Sequence, residues 1–152
     1  MTVFDIRRAT VADAHDVERV TTEAYAPYVP ILGRKPQPMT ADAAQLIAEH
    51  PVWLLAIDGQ PSGVLVLMEE PDALLVYSLA IVPAQQGRGH GGRLLAWAEE
   101  QARVSGLPRV RLYTNERMGQ NVAWYTAHGY GETGRETYLD STLVHMARVL
   151  TP

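Results

Sequence analysis

Ser78-Leu79-Ala80-Ile81-Val82-Pro83-Ala84-Gln85-Gln86-Gly87-Arg88-Gly89-His90-Gly91-Gly92 decides how this chain is read. Its first residues close the longest apolar run, Ala73 to Val82, which predicts a strand. Pro83 ends that strand. Beyond the glycines, Leu94, Leu95, Ala98 and Ala102 fall on one face of a predicted helix over 91–105, with Gly106 as its C-cap and Pro108 beyond. Four glycines in the six residues from Gly87 therefore sit at a helix N-terminus. The first turn of a helix has unpaired N–H groups and the positive end of the macrodipole. Glycines let an anion approach those donors, so a phosphate-bearing ligand is the expectation. Arg88, His90 and Arg93 add side-chain donors nearby. A plain turn would need one glycine.

Working outward, Val3 to Arg8 reads as a first strand. Thr10 with Asp13 reads as a capping box before an amphipathic helix over 11–24. Residues 24–38 hold four prolines and predict an irregular or short-helical segment, and Thr40 is expected to cap a second helix through about Glu49. Trp53 to Ile57 and Gly63 to Met68 flank Asp58-Gly59, a hairpin signature. Val110 to Thr114 predicts a strand, 119–128 a short helix ended by Gly129, and 130–138 and 141–149 two closing strands. The order β-α-α-β-β-β-α-β-α-β-β implies a mixed α/β (α+β) fold. Its central sheet is mostly antiparallel, with one parallel β-α-β pair and about four flanking helices.

The chain has 152 residues, 47% hydrophobic and 20% charged, a length that predicts one domain over 1–152. It has no cysteine, which excludes thiolate-bound zinc, iron–sulfur clusters, a thiol nucleophile and disulfides. His15, His50, His128 and His145 lack metal-ligand spacing, so no metal is expected. A formal net charge of −4 argues against nucleic acid. No apolar run has the length of a membrane span and the N-terminus lacks a signal-peptide pattern, so a cytoplasmic protein without a membrane partner is expected.

Gly87-Arg88-Gly89-His90-Gly91-Gly92 satisfies G-x-G-x-x-G, the dinucleotide fingerprint. Three features oppose that reading. Pro83 to Gln86 separate the strand from the first glycine, Glu116 lies beyond the ~20-residue spacing of the ribose carboxylate, and an antiparallel meander precedes the loop. A Gly-Lys-Ser/Thr phosphate loop is absent. Gln86-x-x-Gly89-x-Gly91 after Ser78 to Pro83 instead resembles the acetyl-CoA pyrophosphate motif of the GNAT superfamily of N-acetyltransferases. Asn121, Tyr125 and Gly129-Tyr130 match its second signature, and the element order agrees over nearly the whole chain.

The resemblance implies a sheet that splays open after the 73–82 strand, with coenzyme A in the gap. Gln86 and the backbone amides from Gly87 through Arg88, Gly89, His90 and Gly91 to Gly92 would hold the pyrophosphate. Leu79, Ala80, Ile81 and Val82 would bond the pantetheine arm, and the Leu79 N–H the acetyl carbonyl. Asn121 would bond pantetheine or a neighbouring backbone group, and Tyr125 would protonate the leaving thiolate. A homodimer through Ser141 to Val149 is a further implication.

The chemistry needs an amine freed of its proton, donors at an oxyanion and an acid for the thiolate. Many family members carry a carboxylate on the 73–82 strand. Here Tyr77 and Ser78 stand there, so a water chain ending on Tyr77, Ser78 or Glu116 is expected, or an acceptor of depressed pKa. The acceptor pocket would draw on Glu23, Tyr25, Tyr28, Arg34, Lys35, Glu116, Arg135, Glu136 and Tyr138, with Tyr25, Tyr28, Glu116 and Tyr138 the named substrate contacts. These suit the primary amine of a small polar or amino-acid-like molecule. The alternatives are a non-catalytic acyl-CoA-binding or sensory module on the same fold, and a nucleotide-dependent oxidoreductase.

Overall fold

A computed structural model describes residues 1–151. Seven strands form one sheet: β1 (Phe4–Arg8), β2 (Val52–Ile57), β3 (Gln60–Glu69), β4 (Leu74–Ile81), β5 (Arg109–Asn115), β6 (Gly131–Tyr138) and β7 (Ser141–Val149). The helices are α1 (Ala14–Tyr25), the single turns α2 (Val29–Leu32) and α3 (Gln37–Thr40), α4 (Ala43–Glu49), α5 (His90–Val104) and α6 (Asn121–Ala127). The strand order is β1-β2-β3-β4-β5-β7-β6, and only β4–β5 is parallel.

Local signals account for most boundaries. The Thr10 N–H donates to Asp13 Oδ2 at 2.8 Å, and Arg7 forks the same carboxylate at 2.8 and 2.9 Å, tying β1 to the start of α1. Arg7 and the Thr10 amide hold the Asp13 carboxyl well below the usual carboxylate range. Asp58 and Gly59 have φ of 49° and 82°, the paired left-handed conformations of a type I′ hairpin turn. The expected cap at Thr40 is corrected. Asp42 caps α4, accepting from the Gln45 N–H at 3.1 Å, while the Thr40 hydroxyl turns back to Gln37 O.

The sheet is buried on both faces. Val17, Val20 and Ala24 of α1 and Ile47 of α4 pack on Val64, Val66, Ala80 and Val82. On the other face Leu94, Leu95, Ala98 and Ala102 of α5 pack on Leu65, Leu67, Val76 and Ile81. Ser78 opposes Val66 while Val76 opposes Leu67, so Tyr77 is an extra residue, a β-bulge in β4. The bulge breaks the alternation and turns Tyr77 and Ser78 both toward the α1 side.

A dimer through Ser141 to Val149 would have to use a face of the sheet and not an added strand. β7 lies between β5 and β6 and is paired on both sides, so it offers no free edge. The sheet edges are β1 and the polar, exposed β6.

Candidate active site

The parallel pair is registered only at Leu74–Val110 and Leu75–Arg111. After that β4 and β5 part, and a cleft of about 700 Å³ opens between them. Its lining includes Tyr77, Leu79, Ala80, Ile81, Gln86, Gly87, Gly89, His90, Gly91 and Gly92 on the β4–α5 side, and Asn121, Tyr125, Tyr25, Tyr28 and Tyr138 around the rest. Fifteen of the residues singled out in the sequence thus converge on one space.

At the α5 end, none of the N–H groups from Gly87 to Gly92 donates to another group of the described chain. The first bond of α5 runs from the Arg93 N–H to Gly89 O at 3.2 Å. Six successive free donors at a helix start form a cradle for an anion such as a pyrophosphate. The four glycines divide their work. Gly87 and Gly89 have φ of 76° and 84°, and a Cβ there would meet nothing within 4 Å. A Cβ on Gly91 would stand 3.1 Å from Trp124, and one on Gly92 3.4 Å from His128. The first pair shapes the loop, and the second lets α6 close against α5.

Along β4, the Val82 N–H donates to Ser62 O at 2.9 Å, on the β3 side. Amides alternate along a strand, so the N–H groups of Leu79 and Ile81 turn away from β3 into the gap. That geometry suits an added-strand contact to an amide-bearing chain. Val82 itself is buried, does not line the cleft, and its amide is already used.

Tyr125 reaches the cleft from α6. Its ring packs edge-on against Trp124 and Tyr130 at 5.0 and 5.9 Å between centroids. Burial pushes its hydroxyl far above the ordinary tyrosine value, so it holds its proton. The Asn121 Nδ2 donates to Thr114 Oγ1 at 3.2 Å, joining α6 to β5.

On the α1 side Tyr25 lies 3.3 Å, oxygen to oxygen, from Ser78 Oγ. Burial raises its pKa, opposed by the neighbouring Ser78 hydroxyl and Leu79 amide. Burial likewise raises Tyr77 and Tyr113. Gln37 bridges the far wall, donating to Tyr138 Oη at 3.0 Å and accepting from Tyr113 Oη at 3.2 Å. Arg34 and Lys35 line this end, and no Asp or Glu lines the cleft. Arg34 also pairs with Asp140 at 2.8 Å.

Several expected residues lie elsewhere. Glu116 is exposed in the turn after β5, 3.5 Å from Arg135, and does not reach the cleft. Glu23, Arg135 and Glu136 also lie outside the lining. Ser78 is buried behind β4, turned by the bulge, and communicates with the cleft through Tyr25. Arg88 is exposed off the lining. The Gln86 side chain donates to Ile81 O at 2.9 Å, so it braces the loop. His90 lies on the lining with its ring edge-on to Phe4, and burial beside Arg93 and Arg88 lowers its pKa. Sequence reasoning missed Gln37, Tyr113, Thr114 and Trp124 as cleft residues. Only the alternation of β5, which turns Arg111, Tyr113 and Asn115 away from the buried Val110, Leu112 and Thr114, hinted at Tyr113.

No group of three or more acidic, His or Cys side chains suited to a metal occurs among the described residues, and no helix there is long and apolar enough to cross a membrane.

Comparisons with known proteins agree with this geometry. The sequence model of the acetyltransferase (GNAT) family matches residues 17–130. A PaiA N-acetyltransferase from Thermoplasma acidophilum, solved in complex with coenzyme A, superposes with a TM-score of 0.81. It covers 97% of this chain and 99% of its own at 15% identity. The ribosomal-protein-S18-alanine N-acetyltransferase of Escherichia coli gives 0.80 over 99% of this chain and 96% of its own at 16% identity. An aminoalkylphosphonate N-acetyltransferase from Salmonella typhimurium is 34% identical over 58 residues, a stretch that spans 38% of each chain. The chain belongs to the acetyltransferase (GNAT) family, a family of acetyl-CoA-dependent N-acetyltransferases.

Proposed function

We propose that this acetyltransferase moves the acetyl group of acetyl-CoA to the primary amine of a small acceptor that also bears an anionic group. The observation that carries the reading is the division of the cleft. One end presents six free amides fit for a pyrophosphate, and the other presents tyrosines with Arg34 and Lys35 and no carboxylate. A polycationic amine would find no carboxylate on the lining, whereas a carboxylate or phosphonate would find Lys35, beside an Arg34 already paired with Asp140. The partial match to an aminoalkylphosphonate N-acetyltransferase supports the same class.

In this reading the Leu79 N–H donates to the thioester oxygen as negative charge develops. One such donor is worth roughly 3–4 kcal/mol in related oxyanion sites. The neutral Tyr125 hydroxyl gives its proton to the departing sulfur, and its raised pKa keeps it protonated over the working range. The Asn121 amide keeps α6 in register with β5 through Thr114. Trp124 against Gly91 fixes Tyr125 relative to the amide cradle.

The test is release of free coenzyme A thiol from acetyl-CoA across a panel of aminoalkylphosphonates, amino acids, simple alkylamines and polyamines. The expected result is turnover with anion-bearing monoamines above that with polyamines. Preferred turnover of polyamines overturns the acceptor class, and no thiol release with any amine overturns the transfer.

A further inference from the structure

We infer that the acceptor amine loses its proton along the α1 face of β4, by way of Tyr25 and Ser78, leaving beside Glu18. This inference rests on the acetyl-transfer reading above and supplies the base that the cleft lacks.

Three observations line up. First, Tyr25 and Ser78 form a hydroxyl pair at 3.3 Å, with Tyr25 lining the cleft and Ser78 buried behind β4. The Tyr77 bulge makes this pair. Without the extra residue, the strand's alternation would turn one of residues 77 and 78 to the α5 side. Second, Ser78 is one wall of a separate small cavity of about 10 Å³ between α1, α4 and the sheet. That is the room one water needs. Third, the polar side chains of that cavity are Ser78, Thr21, Thr22 and Glu18, which offer a water the two to four partners it requires. Glu18 is exposed, so the far end of the path meets solvent. The remaining lining is Val17, Val66, Leu46 and their neighbours, which keeps the path narrow.

The proton balance closes. An acceptor ammonium gives one proton to Tyr25 Oη as the Tyr25 hydroxyl proton passes to Ser78 Oγ. The Ser78 proton passes to the cavity water and out past Glu18. The freed amine lone pair then forms the C–N bond as the carbonyl π pair moves onto oxygen. Collapse restores the carbonyl and breaks the C–S bond. The nitrogen's second proton follows the same path, and the thiolate takes the Tyr125 proton, which solvent replaces. Ammonium and acetyl-CoA become amide, coenzyme A thiol and one released proton.

The experiment compares two acceptors in the thiol-release assay: the best primary alkylamine of the panel, and its β-fluorinated analogue, whose ammonium ionises far more readily. Tyr25→Phe keeps the ring, and Ser78→Ala removes the next hydroxyl independently. Each is expected to lower kcat on the alkylamine about 10²-fold, with the KM for acetyl-CoA unchanged. On the fluorinated amine the loss should shrink to less than about threefold, because little proton removal remains to be done before attack. Thr21→Val, on the far wall, should follow the same pattern at about tenfold. Wild-type protein that releases no thiol with any amine overturns the acetyltransferase reading and the path with it. An active wild type with Tyr25→Phe and Ser78→Ala at full kcat overturns the path alone. Equal losses on both amines reduce the pair to positioning residues and overturn it too. Loss in those two with none in Thr21→Val overturns the exit beside Glu18.

Discussion

The two ends of the cleft are built from different parts of the polypeptide. At the α5 end the polar groups are backbone amides of six consecutive residues, Gly87 to Gly92. At the acceptor end they are side chains gathered from α1, the turns after it, β4, β5 and the end of β6: Tyr25, Arg34, Lys35, Gln37, Tyr77, Tyr113 and Tyr138. A site made of backbone is specified by where side chains are missing and by which φ the chain must adopt, so it is short and local. A site made of side chains depends on how five segments meet. The first kind suits an invariant ligand group, and the second can be altered one residue at a time.

This contrast can be broken most sharply at Tyr125, where the two ends meet. Tyr125→Phe should lower kcat roughly 10²-fold while acetyl-CoA affinity, read by calorimetry, stays put. Because burial raises this tyrosine well above the ordinary value, kcat should show no alkaline fall from its ionisation below about pH 10. The sign for stability is the same. The neutral buried form contributes stability that is present below the unfolded value and lost as pH rises toward the folded one. Full kcat in Tyr125→Phe, with chemistry limiting, would make it a packing residue.

A smaller effect is expected at the backbone end. Gly89→Val puts a β-branched residue at φ of 84°, a strained conformation, so the loop should relax and the amides lose their alignment. Acetyl-CoA affinity should weaken about tenfold, and unchanged calorimetry would show that the cradle is not the binding site. At the acceptor end a single exposed charge carries less. Lys35→Ala should raise the KM for an anion-bearing amine about two- to fivefold and leave that for a neutral amine unchanged. Asp13→Asn, remote from both ends, should cost about 1 kcal/mol of stability by thermal melting, with kcat intact. Its carboxyl is held low by Arg7, so the stabilisation is present above the unfolded value near 3.8 and lost as pH falls below it. The gap in Tm between wild type and variant should therefore narrow only in that acidic window.

The same contrast explains what could be read from residues alone. The glycine loop, the Asp58-Gly59 hairpin and the Thr10–Asp13 cap follow from local backbone rules, and they appear where expected. The cap of α4 moved from Thr40 to Asp42 because α3 claims the Thr40 hydroxyl first. Glu116 looked attractive by its position beyond β5. Which way a turn residue faces depends on its tertiary neighbours, and this one faces Arg135. Gln37 bridges Tyr113 and Tyr138 across 76 and 101 residues of chain, and no local pattern announces such a contact. The edge position of β6 rather than β7 likewise depends on which strand reaches β5 first, a matter of loop path and not of apolar content.

The narrow join between β4 and β5 also acts as the spine of a book. Two residue pairs hold the leaves together, and beside them Arg111 forks Glu70 with both contacts at 2.6 Å while Arg109 holds Asp72 at 2.6 Å. From Leu75 to Ile81 β4 runs on for roughly 20 Å. Over that lever a tilt of about 3° at the spine shifts the far end by about 1 Å. A misplacement of that size is enough to cost about 10²-fold in a positioned reaction. Four charged side chains that never touch a substrate thus brace the spine on which the alignment of groups on the two leaves turns.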